Sequence, residues 1–130
     1  MIVIDAGALV KVLVEKGPSA DAVRKRLVGE SLTAPAHIDV EVLSVLRGLV
    51  LSGKLAADQA EAGLGLLEIM PLQRVPLPVY LRRGWQLRGN YSAYDALYLA
   101  VAETLSCPLV TSDARISRGN GARCEIEVFA

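Results

Sequence analysis

The sequence contains little cysteine, histidine or tryptophan, and these shortages exclude several kinds of site. Its 130 residues include two cysteines, one histidine and one tryptophan. Cys107 and Cys124 lie far apart and outside any metal-ligand spacing, so we predict two buried structural thiols in a reducing compartment. The single histidine, His37, gives a histidine metal site or a catalytic triad little to build on. Its place near a helix start predicts a surface or capping residue.

The sequence also lacks an excess of either charge and any long apolar run. Fourteen basic and fourteen acidic residues cancel, so no global attraction to nucleic acid is expected. Met1 leads directly into an apolar stretch without a signal peptide, and no apolar run approaches the roughly 18 residues of a membrane helix. We therefore predict a cytoplasmic protein without a membrane segment. Beyond Ile69, seven arginines against five acids leave a local basic excess.

What is present is an apolar chain with alternating short strands and helices. Apolar residues make up 52% of it and charged residues 22%, which is typical of a well-filled globule. The length, with no repeat or linker, predicts one domain over residues 1–130. The alternation is typical of an open α/β sheet with helices on both faces. We expect strands at 2–4, 31–34, 73–75, 109–111 and 125–129, and helices over 8–15, 19–28, 36–51, 56–69, 79–88 and 93–105.

The helix over 36–51 is the most clearly patterned element. Pro35 is expected to open it, because the fixed φ of proline suits a first helical turn. Val42, Val45 and Leu46, together with 49 and 50, recur at three- and four-residue spacing and predict its buried face.

Two aspartates stand where apolar strands end. Asp5 follows the first strand and Asp113 follows the strand over 109–111. The carboxyl ends of parallel strands share one edge of the sheet, and this edge carries the binding crevice in open α/β folds. An Asx turn is the ordinary alternative for each residue. Two carboxylates beside buried runs must nevertheless be hydrated, paired or metal-bound.

Further acids are expected near helix starts. Asp95 begins the helix over 93–105, where a capping box with Ser92 is the alternative explanation. Glu41 lies in the second turn of the helix over 36–51, where it is otherwise an ordinary solvated residue. Asp39 points about 200° away from Glu41 on that helix, and the helical geometry does not choose between them.

The chemistry open to these acids is oxygen ligation of a hard cation. The sequence has no glycine-rich phosphate loop and no thiolate with a paired base. Mg²⁺ and Mn²⁺ bind carboxylates and keep several waters. Three or four carboxylates can hold one or two such ions, which activate water and neutralise charge that builds on a phosphodiester.

Four segments resemble, in order, the four motifs of PIN domains. Residues 3–9 (VIDAGAL) resemble the first motif and residues 39–44 (DVEVLS) the second. Residues 92–100 (SAYDALYLA) are similar to the distinctive third motif, and residues 109–113 (LVTSD) to the fourth. The order and spacing hold from residue 2 to about residue 113, so the resemblance spans nearly the whole chain. The most similar subgroup is the VapC toxins of bacterial toxin–antitoxin pairs.

The resemblance implies a PIN-like fold, with a five-stranded parallel sheet flanked by helices on both faces, and an acidic pocket for Mg²⁺ or Mn²⁺. Asp5 would be a direct metal ligand, while Asp95 and Asp113 would bind metal directly or through water. Glu41 would orient the attacking water or a second ion, and the motif selects it over Asp39, which stays a rim residue. The implied activity is hydrolysis of RNA by a metal-dependent endoribonuclease.

The sequence departs from the family at Gly7. Many members carry Ser or Thr at this place, where a hydroxyl can support the metal site. The hydroxyls of Thr111 and Ser112, on another strand, remain as candidates for that support.

RNA contacts are expected around the same pocket. Asn90 is a candidate polar contact at its rim, and Trp85 is expected to be a core anchor. Arginines on both sides of the third and fourth motifs can meet phosphates, with a solvated helix face as an equal alternative. They are Arg82, Arg83, Arg88, Arg115 and Arg118.

Partners are implied by the resemblance as well. VapC-type proteins are usually homodimers held by a VapB-type antitoxin whose tail lies in an apolar groove. The helix over 36–51 and the stretch 64–70 are the expected walls of that groove, with plain core packing as the alternative.

Two other functions are weighed against a nuclease. Phosphatases and receiver domains also gather acids at strand ends, but the phosphatase pattern needs an aspartate where Gly7 stands. A receiver needs an acidic pair after the first strand and a lysine after the last, and neither is present. The remaining alternative is a non-catalytic PIN-like module that binds RNA or a partner, which metal titration would separate from an enzyme.

Overall fold

Five short strands form one parallel sheet in a computed structural model that describes all 130 residues. The strand order is β3-β2-β1-β4-β5, and every neighbouring pair is parallel. The sequence prediction of a five-stranded parallel sheet is therefore confirmed. The strands are β1 (Ile2–Ile4), β2 (Leu32–Pro35), β3 (Leu72–Val75), β4 (Leu109–Thr111) and β5 (Ile126–Val128).

Seven α-helices connect these strands, and a 3₁₀ turn at Pro78–Tyr80 precedes the fifth. The last helix, five residues capped by Asp113, was not predicted because it is too short to show a periodic pattern. None of the helices has both the length and the hydropathy needed to cross a membrane. The helices are α1 (Ala6–Val14), α2 (Pro18–Leu27), α3 (Ile38–Leu51), α4 (Ala57–Ile69), α5 (Leu81–Gln86), α6 (Ala93–Leu105) and α7 (Ala114–Arg118).

Strand order explains why helices flank both faces. From β1 the chain moves outward to β2 and β3, and then returns past β1 to β4 and β5. Parallel crossovers are right-handed, so a reversal of direction moves the connecting helices to the opposite face. Helix α6 packs on β1, β2 and β4, whereas α1 packs with α2, α3 and α4. The three β1 residues are completely buried between these layers.

The sequence predicts that Pro35 opens α3, and this prediction is wrong. Pro35 is the last residue of β2. It is paired with Val75 of β3, whereas the pairing of β2 with β1 ends at Thr33. The N–H of Ala36 donates to the Val75 carbonyl, so the missing N–H of Pro35 faces the β1 side, where no ladder partner is needed. Helix α3 begins at Ile38.

Other element boundaries also differ in detail. The helix expected over 79–88 is the 3₁₀ turn followed by the short α5. On α3, Val42 and Leu46 are buried as predicted, but Val45 is 39% exposed. Both cysteines are free, as predicted, although only Cys107 is buried and Cys124 is half-buried.

We predict that α6 is the main stabilising element over the sheet. Leu99→Ala removes a completely buried side chain and should lower the free energy of unfolding by about 2 to 5 kcal/mol. Leu51→Ala, at a helical leucine that is 69% exposed, is the matched control and should change it by less than about 0.5 kcal/mol. Urea denaturation measures both; equal losses would show that α6 does not carry the core.

Candidate active site

The carboxyl ends of β1 and β4 meet at the place where strand order reverses. β1 lies between β2 and β4, and Asp5 and Asp113 follow β1 and β4 at this edge. Such a switch point opens a crevice in α/β sheets. Asp95 enters it from the first turn of α6, and Glu41 enters from the first turn of α3.

Asp5 is the most buried acid of the site. Its side chain caps α1: one carboxylate oxygen accepts the N–H of Ala8 at 2.9 Å, and the other accepts the hydroxyl of Thr111. Asp5 is only 6% exposed, and burial raises the pKa of its carboxyl to about 6. The two hydrogen bonds oppose that rise, while the charges of Asp95 and Glu41 add to it.

Asp95 is half-buried beside the same group of charges. Burial raises the pKa of its carboxyl, and the charges of Asp113 and Glu41 raise it further. The backbone N–H of Asp95 donates to the Ser92 hydroxyl at 3.2 Å. Helix capping and membership of the acidic site are therefore compatible, and the capping alternative does not remove Asp95 from the crevice.

Glu41 has a buried carboxylate oxygen with no hydrogen-bond partner. His37 Nε2 lies 2.9 Å from it, but the two atoms are not aligned for a hydrogen bond. The His37 ring also packs edge-on against Tyr98, with centroids 4.8 Å apart. Burial, followed by the charges of Glu41 and Asp5, raises the pKa of the Tyr98 hydroxyl. Glu41 thus sits in a largely buried polar cluster beside Asp5.

His37 occupies the N-cap position of α3, as expected near a helix start, but it is not a surface residue. Its side chain is 12% exposed and makes no capping hydrogen bond at the start of α3. The physical reason is that α6 presents Tyr98 against it. Sequence reasoning missed both residues, although the four-residue spacing of His37 and Glu41 on one helix was a usable signal.

Asp39 lies outside this site. Its carboxylate accepts two hydrogen bonds from the Arg74 guanidinium of β3, at 2.9 and 3.1 Å. The structure therefore places Glu41, and not Asp39, beside Asp5 and Asp95.

Asp113 caps α7 and is held by an arginine. The Arg115 guanidinium donates to both of its carboxylate oxygens, at 2.8 to 3.2 Å. Arg115 hydrogen bonding lowers the pKa of this carboxyl, and the charge of Arg118 also lowers it. The N–H of Asp113 donates to the Thr111 hydroxyl at 3.0 Å. Because that hydroxyl donates in turn to Asp5, Thr111 connects the two strand-end acids.

Two clefts open at the site and adjoin at Asp95. One, of about 330 Å³, is lined by Asn90, Ser92, Asp95, Asp113 and Arg115, among others. The second, of about 350 Å³, is lined by Val40, Glu41, Ser44, Ser92, Tyr94 and Asp95. The two clefts share Ser92 and Asp95, and acidic side chains line both.

Three of the expected RNA contacts are engaged with the protein instead of free. Arg83 donates to Glu103 at 2.7 and 3.0 Å and to the Gly121 carbonyl at 2.7 Å. This ion pair joins α5 to α6, so the Arg83 guanidinium is engaged within the protein, and its phosphate contact stays a prediction. Asn90 lines the cleft, but its amide donates to the Asn120 carbonyl. Arg115 is bound to Asp113.

Trp85 is not a core anchor. It is 68% exposed, and the Arg88 guanidinium lies 4.4 Å from its ring centroid. The expectation failed because α5 is only six residues long. Trp85 and Arg88 border a separate, mainly apolar cleft with Leu81 and Leu97. Arg82 and Arg118 are exposed.

The carboxylate oxygens are the type of ligand that a hard cation prefers, but in this structure the side chains do not surround a common point. The structure contains no group of three histidine, cysteine or acidic side chains arranged to hold a metal ion. Asp113 is turned onto Arg115, and Asp5 onto Thr111. The unpartnered buried oxygen of Glu41 and the mutual charge repulsion within the acid cluster are conditions that a divalent cation would relieve.

Comparison with known proteins agrees with this architecture. The family model described as PIN domain matches residues 2–121. The chain is 37% identical over 130 residues to Ribonuclease VapC12 of Mycobacterium tuberculosis, covering 100% of both chains. It is 41% identical over 127 residues to Ribonuclease VapC1 of the same organism, covering 97% of this chain and 96% of the relative.

A solved structure shows the same fold at low identity. VapBC2 from Rickettsia felis, determined with a DNA fragment from its promoter, superposes with a TM-score of 0.68 at 15% identity, covering 100% of each chain. The chain belongs to the PIN domain family and, within it, to the VapC group.

The raised pKa of Asp5 predicts a stability penalty at neutral pH. Above about pH 6 the folded, metal-free protein must ionise a buried acid, while the unfolded chain already ionises it above pH 3.8. The penalty is absent below pH 3.8, grows between these values and reaches about 3 kcal/mol at pH 7.5. Asp5→Asn keeps the cap on α1 and should remove the penalty, so the metal-free variant should be the more stable protein at pH 7.5.

Urea denaturation in chelator at pH 7.5 and pH 5 measures this difference. The gain from Asp5→Asn should shrink toward pH 5, and the exposed first-turn acid Asp58 provides the control Asp58→Asn, which should show no such trend. A variant less stable than wild type at pH 7.5 would contradict the burial penalty.

Proposed function

We propose that the protein is a Mg²⁺- or Mn²⁺-dependent endoribonuclease that acts as the toxin of a toxin–antitoxin module. The observation that carries this proposal is the electrostatic coupling of four acids near the switch point of the sheet: Asp5 with Asp95 and Glu41, and Asp95 with Asp113 and Glu41. The relatives named as ribonucleases, at 37% and 41% identity, support RNA as the substrate. The two free cysteines suit a reducing compartment, and we place the activity in the cytoplasm.

The four acids would hold the cation, each from a different element. Asp5 is fixed by Thr111 and the start of α1, and Asp113 by the start of α7. Asp95 comes from α6 and Glu41 from α3. When bound, the cation activates water for attack on a phosphodiester and neutralises charge in the transition state. No protein nucleophile is needed.

The remaining side chains position the reactants. The carboxylate of Glu41, which lines one of the two clefts, would accept a hydrogen bond from the attacking water and receive its proton. Arg118 and Arg115 lie beside Asp113, where they suit an RNA phosphate. If Asp113 held the cation, the Arg115 guanidinium, whose side chain is 85% exposed, would be free for that contact.

We predict that the purified protein cleaves RNA with Mn²⁺ or Mg²⁺, stops with chelator, and loses its activity in Asp95→Asn. Asn keeps the size and hydrogen-bonding capacity at the start of α6 but removes the charge. The expected loss of activity is at least about a hundredfold, because losing even a group that only supports a metal ligand costs about ten- to a hundredfold. The measurement is the rate of cleavage of total RNA, with fragment ends mapped by sequencing.

Asp58→Asn is the matched control, since Asp58 is also a first-turn acid but lies on α4. Its activity should equal that of wild type. Cleavage by Asp95→Asn at the wild-type rate would contradict the site. RNA binding by wild type without metal-dependent cleavage would instead establish the non-catalytic PIN-like module.

Exposed apolar side chains on α3 and α4 support a partner surface. Val40, Leu43 and Leu51 on α3 are 69%, 54% and 69% exposed, and Leu66 and Ile69 on α4 are 50% and 79% exposed. The two helices pack against each other, and exposed apolar side chains along neighbouring helices are typical of an interaction surface. We propose that it receives the apolar tail of a VapB-type antitoxin and that the chain is a homodimer.

The dimer can be tested without the antitoxin. The chain has a mass of 13.9 kDa, and we predict that analytical ultracentrifugation will show twice that mass at micromolar concentration. Sedimentation as a monomer at every concentration would contradict the homodimer while leaving the antitoxin surface to be tested by co-purification.

A further inference from the structure

The backbone conformation at Gly7 does not require glycine. It is the second residue of α1, and it is not among the glycines with positive φ. Glycine inside a helix is less favourable than alanine. The benefit of a missing side chain here must therefore be space.

The space beside Gly7 is occupied by Ser112. A Cβ atom on Gly7 would overlap the Ser112 hydroxyl and would stand 3.8 Å from a carboxylate oxygen of Asp5. By contrast, Gly48 and Gly65, in α3 and α4, have nothing within 4 Å of a Cβ in the same position. Gly7 is thus a helical glycine whose lost side chain admits a hydroxyl from the end of β4.

Ser112 lies between two residues already engaged in the site. Thr111 donates to Asp5, and the N–H of Asp113 donates to Thr111. The Ser112 hydroxyl takes no part in this network, and the side chain is half-buried. A neutral oxygen with free donor and acceptor capacity is therefore held beside the buried Asp5 carboxylate.

We propose that Ser112 is a positioning residue of the metal site, whose hydroxyl occupies the place that a side chain at position 7 would otherwise take. It supplies a neutral oxygen to the cation or to a water that the cation holds. Gly7 and Ser112 then form a steric pair, in which only one of the two positions can carry the hydroxyl. This inference rests on the proposed metal-dependent function.

The test is Mn²⁺ binding by isothermal titration calorimetry, without RNA. Ser112→Ala should raise the Kd for Mn²⁺ about tenfold, the usual effect of losing a group that supports a metal site. Gly7→Ala should raise it similarly, because the new methyl group displaces the hydroxyl. The double variant Gly7→Ala/Ser112→Ala should be no worse than either single variant.

The exchange Gly7→Ser/Ser112→Ala distinguishes a positioned hydroxyl from a merely packed one. It returns a hydroxyl from α1 and should restore most of the wild-type affinity. Gly65→Ser and Ser52→Ala are matched controls outside the site and should leave the Kd unchanged. Thermal unfolding of each metal-free variant confirms that the comparison is made on folded protein.

Each outcome decides between the proposals. Wild-type affinity in Ser112→Ala, or an exchange variant that binds no better than Ser112→Ala, overturns the role of Ser112. If Asp95→Asn nevertheless abolishes Mn²⁺ binding in that experiment, the proposed metal-dependent function survives and only the role of Ser112 is rejected. Absence of Mn²⁺ binding to wild type overturns both.

Discussion

The electrostatics of the site depend on one buried carboxylate, that of Asp5, whose ionised form is costly inside the protein. Asp5 follows a strand with no exposed surface and is itself 6% exposed, so its ionised form loses most of its hydration. Two hydrogen bonds, from the N–H of Ala8 and the hydroxyl of Thr111, replace only part of that hydration. The remaining cost appears as a pKa near 6. A cation in the crevice would offset it.

The groups around Asp5 offset the repulsion between the carboxylates of the site. Asp113 is neutralised by Arg115, while Thr111 links Asp113 to Asp5. Neither Glu41 nor Asp95 has an arginine partner; one carboxylate oxygen of Glu41 lies 2.9 Å from His37 Nε2. Metal-free, the protein therefore offsets the charges of Asp5 and Asp113 with one exposed arginine and hydrogen bonds from Ala8, Thr111 and the backbone of Arg115. Arg115 is 85% exposed, so it can leave Asp113 at little cost in packing.

Much of this arrangement could be predicted from the sequence, because it follows from where strands end. Asp5 and Asp113 each follow a completely buried strand, and the parallel sheet brings those ends to one edge. Helix α6 was predicted with its observed bounds, since Ser92 marks its start and the apolar run is long. The prediction of Glu41 instead of Asp39 needed the family motif; in the structure Asp39 forms an ion pair with Arg74.

What the sequence could not predict depends on contacts between elements distant in the chain. His37 looks like a helix-start residue until α6 places Tyr98 against it. Trp85 looks like a core residue until α5 proves too short to bury it. Pro35 can end β2 because the pairing of β2 with β1 stops at Thr33, so that no partner strand needs an N–H from Pro35. Local pattern contains none of this information.

The most direct test of the account is a crystal structure of the protein grown with Mn²⁺, with anomalous diffraction collected to locate the ion. The account predicts an anomalous peak at the carboxyl ends of β1 and β4, coordinated by Asp5 and at least one of Asp95 and Asp113, with Arg115 turned away from Asp113. An ion bound elsewhere, or an acidic crevice still closed by the Asp113–Arg115 pair at saturating Mn²⁺, would contradict it.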